Sequence, residues 1–169
     1  MDRDIRLLDC TLRDGAHLNK GYFGRRTIEE TIIDLIDAKV DIIEVGFIDE
    51  RRIYDRNRTI FPDVKSINCT FEGIDAKDTM VVGMIDYGAC SIEKVIPVEE
   101  SFLDGIRVIF KKHIMREALE FCSKLKALGY SVFVQAVSIT SYNDEEFATL
   151  LELVNEVEPY AFSIVDTYG

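Results

Sequence analysis

The sequence predicts an α/β fold of repeated βα units, with parallel strands inside and helices outside. Three observations carry this. Apolar runs rich in β-branched residues recur six times, at 5–8, 42–47, 80–85, 106–110, 132–137 and 161–165. Helical stripes lie between several of them. Strand starts are spaced roughly 25–40 residues apart, the repeat of a βα unit.

In chain order, the run 5–8 leads into Asp9, Cys10, Thr11, Leu12, Arg13, Asp14, Gly15, Ala16 and His17, so an arginine, a carboxylate and an imidazole arrive where the first strand should end. Ile28, Ile32, Leu35 and Ile36 form the first helical stripe, with Thr27 and Glu30 spaced as a capping box at its start. The stretch 49–79 is polar and irregular, with four arginines between positions 51 and 58. It reads as a solvated loop with a short helix, or as a lid over a site. Residues 91–102 contain Pro97 and support a short or broken helix. Ala118, Phe121, Cys122, Leu125 and Leu128 form the second long stripe, stopped at Gly129. Phe147, Leu150, Leu151, Val154 and Val157 form the third, followed by Pro159.

Composition narrows the function classes. The chain has 169 residues, 47% of them hydrophobic, enough for one sizeable core. No run approaches the roughly 18 apolar residues of a membrane span, and the first four residues do not read as a signal peptide. A net charge of −11 argues against nucleic acid and against an anionic membrane as partners. An anionic substrate would need a locally positive pocket, to which Arg13 could contribute. Cys10, Cys69, Cys90 and Cys122 are scattered without a C-x-x-C pair, and read as buried, reduced thiols of a cytoplasmic protein.

Arginine, aspartate and histidine within five residues suit carbon–carbon chemistry on a 2-oxo acid. The first is a cation for an enolate oxygen, the second a hard metal ligand, the third a base. The simpler alternative is an Asp-Gly turn with surface charges. The string 9–15, Asp-Cys-Thr-Leu-Arg-Asp-Gly, resembles the strand-1 motif of the DRE-type TIM-barrel metallolyases. Ser163 to Gly169 is similar to that superfamily's strand-6 closing motif, and Ile43 to Phe47 to its second strand. The superfamily includes 4-hydroxy-2-oxovalerate aldolases, hydroxymethylglutaryl-CoA lyases, isopropylmalate, homocitrate and citramalate synthases, and pyruvate carboxyltransferase domains.

The resemblance runs from about residue 5 to the end and implies a (β/α)8 TIM-barrel type, incomplete. A whole barrel takes about 250 residues, and this chain has room for six βα units. Residues 1–169 are therefore expected to form a single truncated aldolase-like catalytic domain, whether shortened naturally or not.

The resemblance implies roles as well. Arg13 would stabilise the enolate oxygen and bind the 2-oxo acid. Asp14 would be a metal ligand for Mn²⁺ or Mg²⁺, with further ligands expected beyond Gly169 and the ion weakly held or absent in this chain. Thr167 would bind the substrate carboxylate. Glu44 would contact substrate or orient Arg13, its alternative being a strand-end salt bridge. Asp9 and Asp166 read as orienters, and Arg107 and Gln135 as possible barrel-interior residues. His113 reads as structural or solvated.

His17 discriminates within the superfamily. The Claisen-type synthases and hydroxymethylglutaryl-CoA lyase carry glutamine at its place, and the hydroxy-oxovalerate aldolases carry a histidine base. The expected activity is therefore metal-dependent cleavage or formation of a 4-hydroxy-2-oxo acid through a pyruvate enolate, incomplete in this chain. The alternatives are a Claisen-type acyl transferase, a carboxyltransferase domain, or a non-catalytic fragment. The apolar margins 5–8 and 161–165 predict a homodimer or another homo-oligomer.

Overall fold

The fold is that of an α/β half-barrel: a curved parallel sheet with helices packed on its outer face. The computed structural model describes residues 5–167. The strands are β1 (Leu8–Asp9), β2 (Ile42–Ile48), β3 (Ile60–Phe61), β4 (Met80–Asp86), β5 (Gly105–Phe110), β6 (Ser131–Ala136) and β7 (Ala161–Ile164). The sheet runs β1-β2-β4-β5-β6-β7, all parallel, with β3 pairing only with β2. All six predicted strands are present, and β3 is an addition. The first is shorter than expected. Ile5 and Leu7 stand exposed before β1 begins, so that apolar run is not a buried strand.

The helices are α1 (Thr11–Asp14), α2 (Ala16–Asn19), α3 (Arg25–Asp37), α4 (Val64–Thr70), α5 (Met115–Ala127) and α6 (Asp144–Val157). Outward-facing strand residues such as Ile43, Val45, Val108, Val132 and Val134 pack against Ile28, Ile32, Cys122, Leu125 and Leu150 in the main core. A smaller cluster of Ile42, Val82 and Phe133 lies on the inner, concave face. Parallel strands covered on both faces give the near-continuous apolar runs seen in the sequence.

Helix ends differ from the local signals in an instructive way. The capping box expected at Thr27 and Glu30 does not form: α3 begins three residues earlier, with Gly24 rather than Thr27 at its N-cap, and Glu30 instead accepts from Arg26. Its start is capped from a distance, by Asn57 Oδ1 accepting from the Arg25 amide at 3.1 Å. A capping box does open α6, between Asn143 and Glu146. Gly129, with φ +91°, ends α5 as expected. The Pro97 region holds only two short 3-10 turns, Ile92–Lys94 and Val98–Glu100.

The stretch 49–79 departs further from expectation. It contributes Phe61, Val64, Ile67 and Phe71 to the main core, so it is packed structure rather than a solvated loop. Among the cysteines, Cys90 and Cys122 are buried as expected, but Cys69 is exposed and Cys10 half-buried; all four are free thiols. At the lower end of the sheet the two margins approach each other, with Arg6 stacked on the Tyr160 ring and donating to its hydroxyl.

Candidate active site

Chemistry at a parallel sheet belongs at the C-terminal ends of its strands, and that end holds the residues singled out above. The Asp9 carboxylate closes the turn after β1, accepting from the Thr11 amide at 3.0 Å and the Thr11 hydroxyl at 2.9 Å. This starts α1, which carries Arg13 and Asp14, and α2 follows with His17. Asp9 therefore caps the turn from which α1 starts.

Arg13 turns onto the sheet. Its Nε donates to Glu44 Oε2 at 2.5 Å, and its Nη1 to Asp14 Oδ1 at 2.9 Å. Glu44 is fully buried in β2. Its other oxygen lies 2.7 Å from Arg107 Nη1, an off-line charge contact rather than a formed hydrogen bond. Arg107 Nη2 in turn donates to Gln135 Oε1 at 3.0 Å. The four side chains make a polar chain from α1 across β2, β5 and β6. Burial alone would weaken the Arg13 cation, but Glu44 beside it more than offsets that and raises its pKa. Among the described residues nothing accepts from Arg13 Nη2, so one edge of the guanidinium is open.

A bulge in β2 sets the geometry. Glu44 pairs with Val82 and Phe47 with Met84, so three steps on β2 match two on β4. Val82 and Met84 share a face, and the extra residue brings Phe47 round to the face that carries Glu44. Gly46 absorbs the irregularity at φ +150°, where an added Cβ would stand 2.0 Å from the Thr59 carbonyl oxygen. The Phe47 ring then supports both candidate groups. Arg13 lies over it at 5.9 Å, and the His17 ring meets it edge-on at 5.5 Å.

His17 opens onto a cleft of about 780 Å³. Phe47, Ile48 and Ile60 form its apolar floor; Lys20, Arg51, Arg52 and Arg58 bring positive charge, with Asp49 and Asp86 between them. Asp49 is buried, which opposes its charge, yet hydrogen bonds from Arg51 and Arg52 hold its carboxyl below the usual range. Asp86 is exposed, but the loss of hydration at the cleft wall raises its carboxyl, with Lys111 and Arg51 opposing. The cleft wall is tied to the α1 turn by Thr59, whose hydroxyl donates to the Leu12 carbonyl at 2.8 Å.

The structure thus gathers Arg13, Asp14, Glu44 and His17 around β2. Thr167 follows β7 at the other margin of the sheet. Its hydroxyl accepts from the Ser138 amide at 2.7 Å. Arg107 and Gln135 do lie inside, while His113 and Asp166 are exposed. Phe47 and the cationic cleft were not singled out from sequence as site residues. Three of the four clustered arginines, Arg51, Arg52 and Arg58, line the cleft, and that cluster was its signal. Phe47 gave none, because its inward turn depends on the bulge.

A divalent metal finds little here to hold it. Among the described residues no three His, Cys, Asp or Glu side chains come together as a ligand cluster. Asp14 offers one exposed carboxylate, half engaged by Arg13, and a single carboxylate does not make a Mg²⁺ or Mn²⁺ centre. The residues present do not by themselves fit the metal that the motif implies.

No protein-family model matches the chain, and no curated protein matches it. Among solved structures it is similar to the N-terminal domain of a candidate aldolase from Bacteroides vulgatus, at 18% identity and a TM-score of 0.67. The match covers 98% of this chain and 55% of that one, so the chain spans about half the length of the protein it resembles. At that identity the likeness is one of fold, and it supports an aldolase-like α/β fold for this chain.

Proposed function

We infer that this chain carries an aldolase-type site acting on a 2-oxo acid, with Arg13 facing the enolate and His17 moving the proton. The observation that carries the reading is the Arg13 guanidinium, oriented and kept charged by fully buried Glu44 while one of its edges stays open. A fixed fork of donors aimed at a developing oxyanion needs no reorganisation during reaction, which is where such a group contributes most.

The step balances on the residues present. The hydroxyl of a 4-hydroxy-2-oxo acid gives its proton to a ring nitrogen of His17. The bond between C3 and C4 breaks and leaves an aldehyde. Its electron pair passes into the enolate, whose oxygen faces Arg13. Phe47 fixes the two groups on one support. An imidazole suits this transfer near neutral pH, whereas an amide cannot accept the proton. That favours aldol chemistry over acyl transfer.

Oxalate has the charge and shape of pyruvate enolate and tests the reading without turnover. Wild-type chain is expected to bind it in calorimetric titration. Arg13→Lys should bind it about tenfold more weakly, the worth of one charge-assisted hydrogen bond. Equal binding by the two proteins would overturn the role of Arg13.

A further inference from the structure

We propose that the cleft beside His17 holds the phosphate of a phosphorylated aldehyde, the second product of the carbon–carbon cleavage. This rests on the aldolase reading above and names the part of the substrate that reading leaves open. Four cations, Lys20, Arg51, Arg52 and Arg58, line the cleft against two carboxylates, Asp49 and Asp86. In a chain of net charge −11, whose surface repels anions generally, this is a local reversal of sign.

The cations are not used up by their neighbours. Arg51 and Arg52 converge on the single carboxylate of Asp49, at 2.6 Å and 3.1 Å. Arg52 engages it through Nε alone, so both its Nη groups remain to donate among the described residues. Arg58 stands 3.7 Å from Asp55, and its guanidinium stacks over the Tyr22 ring. Lys20 has no carboxylate partner among the described residues. A carboxylate ligand would need one fork. Several unspent donors around one space suit a phosphoryl group, with its greater charge and three acceptor oxygens.

Size and lining agree with this assignment. About 780 Å³ is within the range of small-molecule sites and larger than pyruvate needs. The floor of Phe47, Ile48 and Ile60 would carry a carbon chain between the phosphate and the reacting carbon. His17 stands on the wall of the same cleft, so the aldehyde end would meet the proton-transfer group.

Phosphoryl oxygens could come from a phosphomonoester on the aldehyde or from a coenzyme A thioester, and the test separates them. Binding to the full chain is followed by calorimetry with glycerol 3-phosphate, glycerate, glycerol and coenzyme A. Glycerol 3-phosphate should bind at least about tenfold tighter than glycerate, and glycerol should not register. Arg52→Gln and Lys20→Gln, both at exposed positions, should each weaken it about tenfold. Circular dichroism checks that each variant is folded. No preference over glycerate, unchanged binding in both variants, or binding of coenzyme A alone would each overturn the proposal. Because no turnover is needed, the result stands apart from oxalate binding at Arg13, which tests the aldolase reading itself.

Discussion

Arg13 and His17 rest on one aromatic ring, that of Phe47, at 5.9 Å and 5.5 Å from its centre. They come from consecutive short helices, and the ring that unites them comes from β2 through its bulge. The relative placement of cation and base is thus fixed by the sheet rather than by the loop that carries both.

The two groups should separate in a kinetic test. His17→Gln is expected to keep oxalate affinity within about twofold while slowing 4-hydroxy-2-oxo acid cleavage about a hundredfold, the usual worth of a positioned general base. A coupled pyruvate assay measures the rate. If oxalate binding and cleavage fell together, His17 would be a binding group instead.

Glu44 is an anion enclosed between two arginines. Glu44→Gln leaves those guanidiniums facing an amide, and breaking such a buried pair from one side costs about 3 kcal/mol. Urea denaturation of the two proteins measures it. A loss below about 1 kcal/mol would mean that water reaches and solvates the freed charges.

Gly46 is the position where the backbone admits no side chain. Gly46→Ala would push a methyl into the Thr59 carbonyl oxygen and demand a φ that alanine avoids. We expect a loss of about 3 kcal/mol or more in thermal unfolding, together with weaker oxalate binding, because Phe47 moves with its neighbour. Gly24, also at positive φ but with open space around it, should tolerate alanine better.

Alkaline pH should destabilise the fold. Burial pushes the Cys90 and Cys122 thiols up to about 12 from an ordinary 9.0. In the unfolded chain they ionise near 9. Between roughly pH 9 and 12 the folded state therefore holds more protons, and stability falls as pH rises, by up to about tenfold in the unfolding constant per unit for each thiol. Denaturant curves at pH 8 and 10.5 measure the slope, and Cys122→Ala should reduce it. An unchanged slope in that variant would assign the effect elsewhere.

The margins of the sheet bear on assembly. Ile5, Leu7 and Ile164 stand 83%, 62% and 54% exposed. Apolar side chains at unpaired sheet margins favour association, and we expect a self-associating chain whose interface includes one of them. Sedimentation at tens of micromolar should show a dimer or larger species that Leu7→Lys or Ile164→Lys weakens. A wild-type monomer there would refute this.

Much of this is legible in the amino-acid sequence alone. The buried strands announced themselves because a parallel sheet covered on both faces needs β-branched residues at nearly every position. Asp9, Arg13, Asp14 and His17 could be singled out because they stand together in one short run, although the groups that place Arg13 and His17, Glu44 and Phe47, lie about thirty residues away. The start of α3 was not legible, since its cap, Asn57, lies 32 residues away along the chain. The packing of 49–79 was hidden by its charges, with Phe61, Val64, Ile67 and Phe71 spaced among polar residues. The role of Phe47 was hidden most thoroughly. Alternation along a strand points it outward, and only the pairing of β2 with β4 reverses that.

That reversal has an evolutionary corollary. The direction of Phe47 is a matter of odd and even count along β2, and one residue inserted or removed between Glu44 and Phe47 flips it. A shortened strand would keep every chemical group of the site, and its parallel sheet, yet would leave Arg13 and His17 without their common footing. Sequences related to this one should therefore keep the residue count from Glu44 to Phe47, and a single-residue gap there would mark a lineage that has lost this common footing.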